Sequence, residues 1–233
     1  MSAKPLVSVI TASLNGARHL EACLDSVARQ QHVTVEHVVI DGGSNDGSVE
    51  ILQRWSPRLA YWRSEADAGI ADAMNKGLRQ ARGEWLLFLH ADTVLSPGWE
   101  EEVSHYVSQN YAPAHAGVFR FALDDFRPQA RRLERMVALR CKLLALPYGD
   151  QGLLIHRSLY DQIGGYAELP LMEDVDLIRR IGRKRLIYFR STAQTSATRY
   201  ITDGYLRRPL RNLLCLSLFF LRVPPRHIAR LYG

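Results

Sequence analysis

Apolar positions along this chain fall into two kinds of run. The continuous run at 86–89 stops abruptly at a polar segment, the pattern of a strand buried on both faces; residues 6–10 and 153–156 also read as strands, and 33–40 carry enough β-branched residues for another. Between them, apolar positions recur at helical spacing: Leu20, Cys23, Leu24, Val27 and Ala28, then Ile70, Met74, Gly77, Leu78 and Ala81. Strand, loop and helix therefore repeat. The first unit has residues 11–16 as its loop; the second closes at Asp41, turns through residues 42–47 and continues as a helix to about Trp55. A short strand at 59–63 and the helix from Ile70 lead through Gly83 into the run 86–89, which ends at His90, Ala91 and Asp92. Repeated units of this kind predict an α/β fold with a mostly parallel sheet.

The second half is less regular. Ser96 and Pro97 read as the cap and first residue of a helix carrying Trp99, Val103, Tyr106 and Val107. Residues 118–123 alternate as a strand, and 128–146 form a helix with arginines opposite its apolar side. The polar segment 147–152 precedes the strand 153–156, a helix and turn follow in SLYDQIGGY, and Glu173 and Asp174 open a helix with Val175, Leu177, Ile178 and Ile181. After a strand at 186–189 and a polar stretch at 191–199, the last helix spans 206–221. Its LLCLSLFFL core is far short of the roughly 20 residues a spanning helix needs. Flanked by Arg207, Arg208, Arg211 and Arg222, that helix suits docking on protein, its own sheet or a second copy (a homodimer), ahead of lying on a membrane surface.

At 233 residues, 47% hydrophobic and 23% charged, the chain has the makeup of one globular α/β domain. The net charge of +6 comes from arginines concentrated in the second half, but no nucleic-acid-binding motif accompanies them, so nucleic acid is not an expected partner. Cys23, Cys141 and Cys215 are far apart and in no CxxC spacing, which argues against zinc or disulfides and for a reducing compartment. The opening MSAKPLVSVI has no long apolar segment with a cleavage site, so no signal peptide is expected. A cytoplasmic location follows, with the inner membrane face as a variant of it.

Chemistry concentrates at the ends of the apolar runs. Asp92 follows a buried strand, where open α/β sheets place ligands, and its hard oxygens suit a divalent cation bridging phosphates; a turn or cap is the structural alternative. The glycine-rich DGGSNDGS segment lets an anion approach backbone amides, and any tight turn would use the same residues. Asp72, Lys76 and Arg79 lie off the apolar stripe of a helix whose amino end reaches the same sheet edge as Asp41 and Asp92. Asp150 and Gln151 either orient an acceptor hydroxyl or form a polar turn. Glu173 and Asp174 either complement a helix dipole or supply a base.

The ordered set SVITASLN, VVIDGGSNDGS, DAGIADAMNKGL, ARGEWLLFLHADT and LPLMEDVDLIRR resembles the family-2 inverting glycosyltransferases of the GT-A fold, from about residue 6 to 180. FLHADT, LPYGDQGLLIHR and LPLMED are similar, more narrowly, to a bacterial subgroup found beside radical-SAM and seleno-domain genes and linked to arsenosugar biosynthesis. The resemblance implies a Rossmann-related sheet with helices on both faces, a nucleotide-binding half at about 1–95, an acceptor half at about 96–203 and a helical extension at 204–233. It implies that Thr11 and Asn15 shape the nucleotide pocket, Asp41 bonds the base or ribose, and Asp67, Asp72 and Lys76 line the nucleotide side. Asp92 stands where the family has the last carboxylate of its DxD motif, which holds Mn²⁺ or Mg²⁺. His90 replaces the first Asp; it either joins the metal, favouring Mn²⁺, or only hydrogen-bonds locally. Asp174 corresponds to the base, with Glu173 second.

The implied activity is metal-assisted transfer, with inversion, from a nucleotide diphosphate sugar, UDP-linked, to the hydroxyl of a sugar, lipid-linked or small-molecule acceptor. Two alternatives stand beside it: a nucleotide-sugar-binding module without turnover, and a sugar nucleotidyltransferase, whose glycine-rich basic loop SLNGARH does not match.

Overall fold

The computed structural model describes residues 6–29 and 32–232. The expectation about a leader rests partly on residues 1–5, outside that range. Eight strands form one sheet in the order β3-β2-β1-β4-β7-β6-β8-β5. In chain order these are β1 (Leu6–Ser13), β2 (Thr34–Asp41), β3 (Tyr61–Ser64), β4 (Trp85–His90), β5 (Thr93–Leu95), β6 (Ala116–Leu123), β7 (Leu153–His156) and β8 (Leu186–Thr195). Pairings β3–β2, β2–β1, β1–β4 and β6–β8 are parallel, while β7 runs antiparallel to β4 and β6, and β5 to β8. The reversal at β7 divides the sheet into a first half built of βα units and a second half of mixed direction.

Helices cover both faces because successive side chains of the central strands alternate between two cores. Val7, Val9, Leu87 and Leu89 pack with α1 (Ala17–Ala28) and α4 (Trp99–Val107). Ile10, Leu86 and Phe88 face the other way, onto α3 (Ile70–Leu78) and, through the shared core, α7 (Glu173–Ile181). Gly77 permits α3 to lie this close: a Cβ there would sit 2.5 Å from Ile10 Cγ2. α2 (Ser48–Trp55) packs with α1 over Val39, α5 (Pro128–Leu144) covers Phe121 and Leu123 of β6, and α6 (Arg157–Gln162) follows β7.

Several elements differ from the sequence reading. β1 continues through Thr11, Ala12 and Ser13, expected as loop, because each finds a partner on β2, up to Ser13 opposite Asp41. β5 was unexpected, and β8 is longer than 186–189; the two pair antiparallel, and β8 extends along β6 past a register shift. Ser96 does not cap α4. Its hydroxyl accepts the Thr192 amide at 3.0 Å, and the helix starts after Gly98 in a left-handed conformation, φ 82°. The carboxyl end carries three helices where one was expected: α8 (Thr198–Asp203), α9 (Arg207–Phe220) and α10 (Pro225–Tyr232). Cys215 and Leu216 of α9 and Ile228 of α10 join the core with Leu177, Ile178 and Ile181, so one side of the extension docks on the chain's own body.

Candidate functional site

The carboxyl ends of β1, β2 and β4 meet along one edge, and their loops are tied to each other. Asp41, with 0% exposure, closes β2. Its Oδ2 accepts from the amides of Gly43 (3.2 Å) and Ser44 (2.8 Å) and the hydroxyl of Ser64 (2.7 Å), and its Oδ1 from the Ser44 hydroxyl (2.5 Å). The carboxylate expected to meet a base or ribose is thus buried and bonded within its own loop. Asn15, in a left-handed turn at φ 50°, joins that loop to the first: its amide donates to Ser44 Oγ and its Oδ1 accepts from the Asn45 amide. Asp46 accepts from the Ala17 and Ser48 amides and the Ser48 hydroxyl; burial opposes its charge, but these donors hold it below the usual carboxylate range. Thr11 is fully buried and hydrogen-bonded to His37 at 2.9 Å, so it supports the first loop from behind and presents nothing to a pocket.

Asp67, Asp72 and Lys76 stand together on the far side of these loops. Asp67 accepts the Gly69 amide at 2.9 Å and lies against Gly42, where a Cβ would be 2.7 Å from its Oδ2. Asp72 accepts the Ala68 amide at 3.0 Å and pairs with Lys76 at 3.1 Å, and Lys76 also reaches Glu65 at 3.5 Å. The Ala68 amide and then Lys76 hold Asp72 down, and Asp72 holds Lys76 up, so both stay charged.

On the other side, β4 ends at His90, which faces the same way as Phe88. Its imidazole packs on Gly149, where a Cβ would be 2.8 Å from Nε2 and 3.6 Å from Asp174 Cβ. Asp174 is fixed to the same glycine: Oδ2 accepts the Gly149 amide at 2.8 Å and Oδ1 the Val175 amide at 2.7 Å. Asp150 comes next, with Oδ1 sealed from solvent and no hydrogen-bond partner. Burial is the main cause pushing Asp150 up to about 6, against the pull of Arg140 and His90, with Asp174 and Asp92 adding to the rise. Asp92 is half-buried beside this group. Glu173 is 8% exposed, and burial first, then Asp174, push its carboxyl up.

Gln151 departs from the sequence reading. It is buried, with Nε2 donating to Phe119 O at 3.0 Å and Oε1 accepting from Tyr148 N at 3.3 Å and Cys141 Sγ at 3.3 Å, so its side-chain bonds lock the turn. Arg140, which the sequence does not single out, stacks its guanidinium 3.5 Å over Tyr148 and donates to Leu146 O; with His90 it opposes the rise of Asp150. In the sequence it is one more arginine of a basic helix. Gly149, within the polar segment 147–152, is where His90 and Asp174 meet.

No three His, Cys, Asp or Glu side chains converge as a metal cluster among the described residues. A cation carried in on phosphates needs only one or two protein ligands, and Asp92 with His90 is a donor set of that size.

A half-parallel sheet with acidic loops at the strand ends, continued by a reversed strand and a second acidic turn, is a GT-A fold. Staphylococcus aureus TarS in complex with UDP-GlcNAc shares it at TM-score 0.66 and 16% identity, over 97% of this chain and 70% of that one. So does the mannosyltransferase PcManGT of Pyrobaculum calidifontis in complex with GDP-Man and Mn²⁺, at TM-score 0.62 and 21% identity, over 90% and 61%. Residues 8–167 match Glycosyl transferase family 2, and the chain belongs to that family. A PGL/p-HBAD biosynthesis glycosyltransferase of Mycobacterium bovis is 45% identical over 96 residues, 40% of this chain. An uncharacterized glycosyltransferase of Haemophilus influenzae is 28% identical over 188 residues, 76% of this chain and 62% of that one. The chain spans 35% and 38% of the length of the mycobacterial relatives it matches.

Proposed function

We propose that this protein transfers a sugar from a nucleotide diphosphate sugar, UDP-linked, to an acceptor hydroxyl with inversion. The observation that carries the reading is the meeting at Gly149: His90, from the end of β4, packs on the residue whose amide holds Asp174. In this proposal the leaving-group side and the base side share that point. Asn15, Asp67, Asp72 and Lys76 would line the nucleotide side, and Asp41 would act by holding the loop they border.

Asp92, with His90, would hold a divalent cation, Mn²⁺ or Mg²⁺; when bound, it neutralises charge on the departing diphosphate. Asp174 takes the proton of the acceptor hydroxyl as that oxygen forms its bond to the anomeric carbon, and the bond from that carbon to the diphosphate breaks on the opposite face. Two amides orient Asp174 for this, while Glu173 is the second candidate because burial raises its basicity. Asp150 would stand on the acceptor side, where its Oδ1 is buried without a partner and a shift of the turn on acceptor binding would let it accept a hydroxyl. The FLHADT and LPYGDQGLLIHR segments support, within this proposal, the arsenosugar-linked bacterial subgroup. A cytoplasmic site of action is also part of it and rests on the free cysteines.

The test is product analysis with a panel of nucleotide sugars, with and without Mn²⁺. UDP release dependent on an acceptor supports transfer. Pyrophosphate release would mean nucleotidyl transfer, and a ligand-induced rise in Tm without either product would mean a binding module.

A further inference from the structure

The α5 and α9 helices each bury one side and leave the other apolar and exposed. On α5, Met136, Leu139 and Leu143 are 61, 54 and 57% exposed and lie on one stripe, with Arg132, Arg135 and Lys142 around it. On α9, Cys215 and Leu216 face the core while Leu210, Leu213 and Leu214 stand in solvent, as do Leu206 and Leu221 flanking the helix, at 79% and 76%. The carboxyl end of α5 and the second half of α9 border a common groove, with the end of α7 between them. Leu144 at the end of α5 and Leu213, Ser217 and Phe220 of α9 line one open groove of about 600 Å³, with Arg179 and Arg183 in its wall. Contiguous apolar surface on this scale marks an interaction site rather than scattered exposure.

Charge decides what covers it. The α5 and α9 segments contain eight basic residues, Arg131, Arg132, Arg135, Arg140 and Lys142 on α5 and Arg207, Arg208 and Arg211 on α9, against one acid, Glu134. That acid is already taken by Arg131 at 2.6 Å. Among the described residues, Arg132, Arg135, Lys142, Arg179, Arg183 and Arg207 make no ion pair with a carboxylate. A two-fold contact between copies would bring this patch against itself, arginine facing arginine. Leucines interleaved with unpaired arginines suit instead a surface that is hydrocarbon underneath and negative on top.

We propose that the α5–α9 face docks on an anionic lipid bilayer, its leucines entering the headgroup boundary and its unpaired cations meeting lipid phosphates. No helix among the described residues is long and apolar enough to cross a membrane, so the chain lies on the surface. The groove between α5 and α9 would admit hydrocarbon beneath the headgroups. This surface is separate from the donor site and does not depend on which sugar, if any, is transferred.

The experiment is co-sedimentation of the full chain with vesicles of phosphatidylcholine alone or with phosphatidylglycerol added, at low and high salt. Binding is expected only with the anionic lipid, weakening with salt. Arg132→Gln with Arg135→Gln should reduce it about fivefold for each cation removed, and Leu210→Gln with Leu214→Gln about tenfold or more. Glutamine keeps the helices intact, and an unchanged Tm in each variant reports that the fold survives. Equal binding to neutral vesicles, binding unaffected by both pairs of substitutions, or no binding together with self-association lost in the leucine variant would each overturn the proposal, the last by showing that a second copy covers the face.

Discussion

Replacing Asp41 by alanine separates two ways of using a carboxylate at the end of β2. If Asp41 contacts the nucleotide, the variant should fold normally and lose UDP affinity. The structure predicts the reverse emphasis. Removing the carboxylate strips partners from two amides and two hydroxyls that are directed at a fully buried point. The hydroxyls can turn to other acceptors, but the amides of Gly43 and Ser44 cannot move without opening the loop. An unsatisfied buried donor costs about 1–3 kcal/mol; these two amides are only part-buried, with Gly43 itself exposed, so each falls in the lower part of that range and the expected loss is about 2–4 kcal/mol.

For a chain of this length that loss corresponds to a Tm lower by about 10 °C. Scanning calorimetry without ligand measures it, and titration with UDP well below the new Tm measures affinity separately. UDP binding should weaken as well, through the loosened Asn15–Asn45 link, but only together with the stability loss. A Tm within about 2 °C of the parent, which is under 1 kcal/mol at this size, combined with a large loss of UDP affinity would refute this reasoning and return Asp41 to the nucleotide.

Asp92→Ala should abolish any Mn²⁺-dependent Tm shift given by a UDP sugar while leaving the ligand-free Tm near normal, since Asp92 is half-buried and makes only a 3.5 Å side-chain contact to Thr93; an unchanged shift removes it from the site. Gly149→Ala places a Cβ 2.8 Å from His90 Nε2, short of ordinary contact at 3.4 Å by about 0.6 Å, and displacement on that scale should lower turnover about tenfold or more; full activity would separate His90 from the chemistry. Asp174→Asn should keep donor binding and reduce transfer by about two to four orders of magnitude, whereas the larger loss in Glu173→Gln would make Glu173 the base, and near-normal turnover in both would leave the pair as helix-capping acids. Glu173, buried with its pKa raised from the ordinary 4.5, binds more protons folded than unfolded. Its contribution is full below that ordinary value and is lost as pH rises through the folded pKa, so Glu173→Gln should flatten a fall in Tm across that window, and an unchanged pH profile would count against the burial effect.

The first half of the fold was legible because its signals are local. Buried parallel strands read as runs rich in apolar and β-branched residues, and the unbroken run at residues 86–89 lies at the centre of the sheet, where β4 stands between β1 and β7. The second half depends on partners far along the chain. β5 is a strand only because β8 lies beside it, pairing Thr93 with Thr195, and no periodicity in three residues could announce that. Ser96 and Pro97 look like a helix start, yet Ser96 is drawn to Thr192 and the left-handed Gly98 opens the helix instead.

The same distinction explains which site residues could be recognised. A residue type at the end of a strand indicates where a side chain begins and nothing about what it reaches. Asp41 and Gln151 are both at loop positions suited to ligand contact, and both are consumed internally, by Ser44 and Ser64 in one case and by Phe119 and Cys141 in the other. Asp150, adjacent to Gln151, retains an unpartnered oxygen. Sequence alone gives these two neighbours the same standing, and only their hydrogen bonds separate them. A buried polar group with every bond made rigidifies a loop, whereas one with a bond unmade bears a desolvation cost that a ligand can relieve. By that criterion Asp150 is the residue of the turn with bonding capacity to spare, and the arginine that steadies it, Arg140, comes from α5, whose exposed side is the face proposed to meet the membrane.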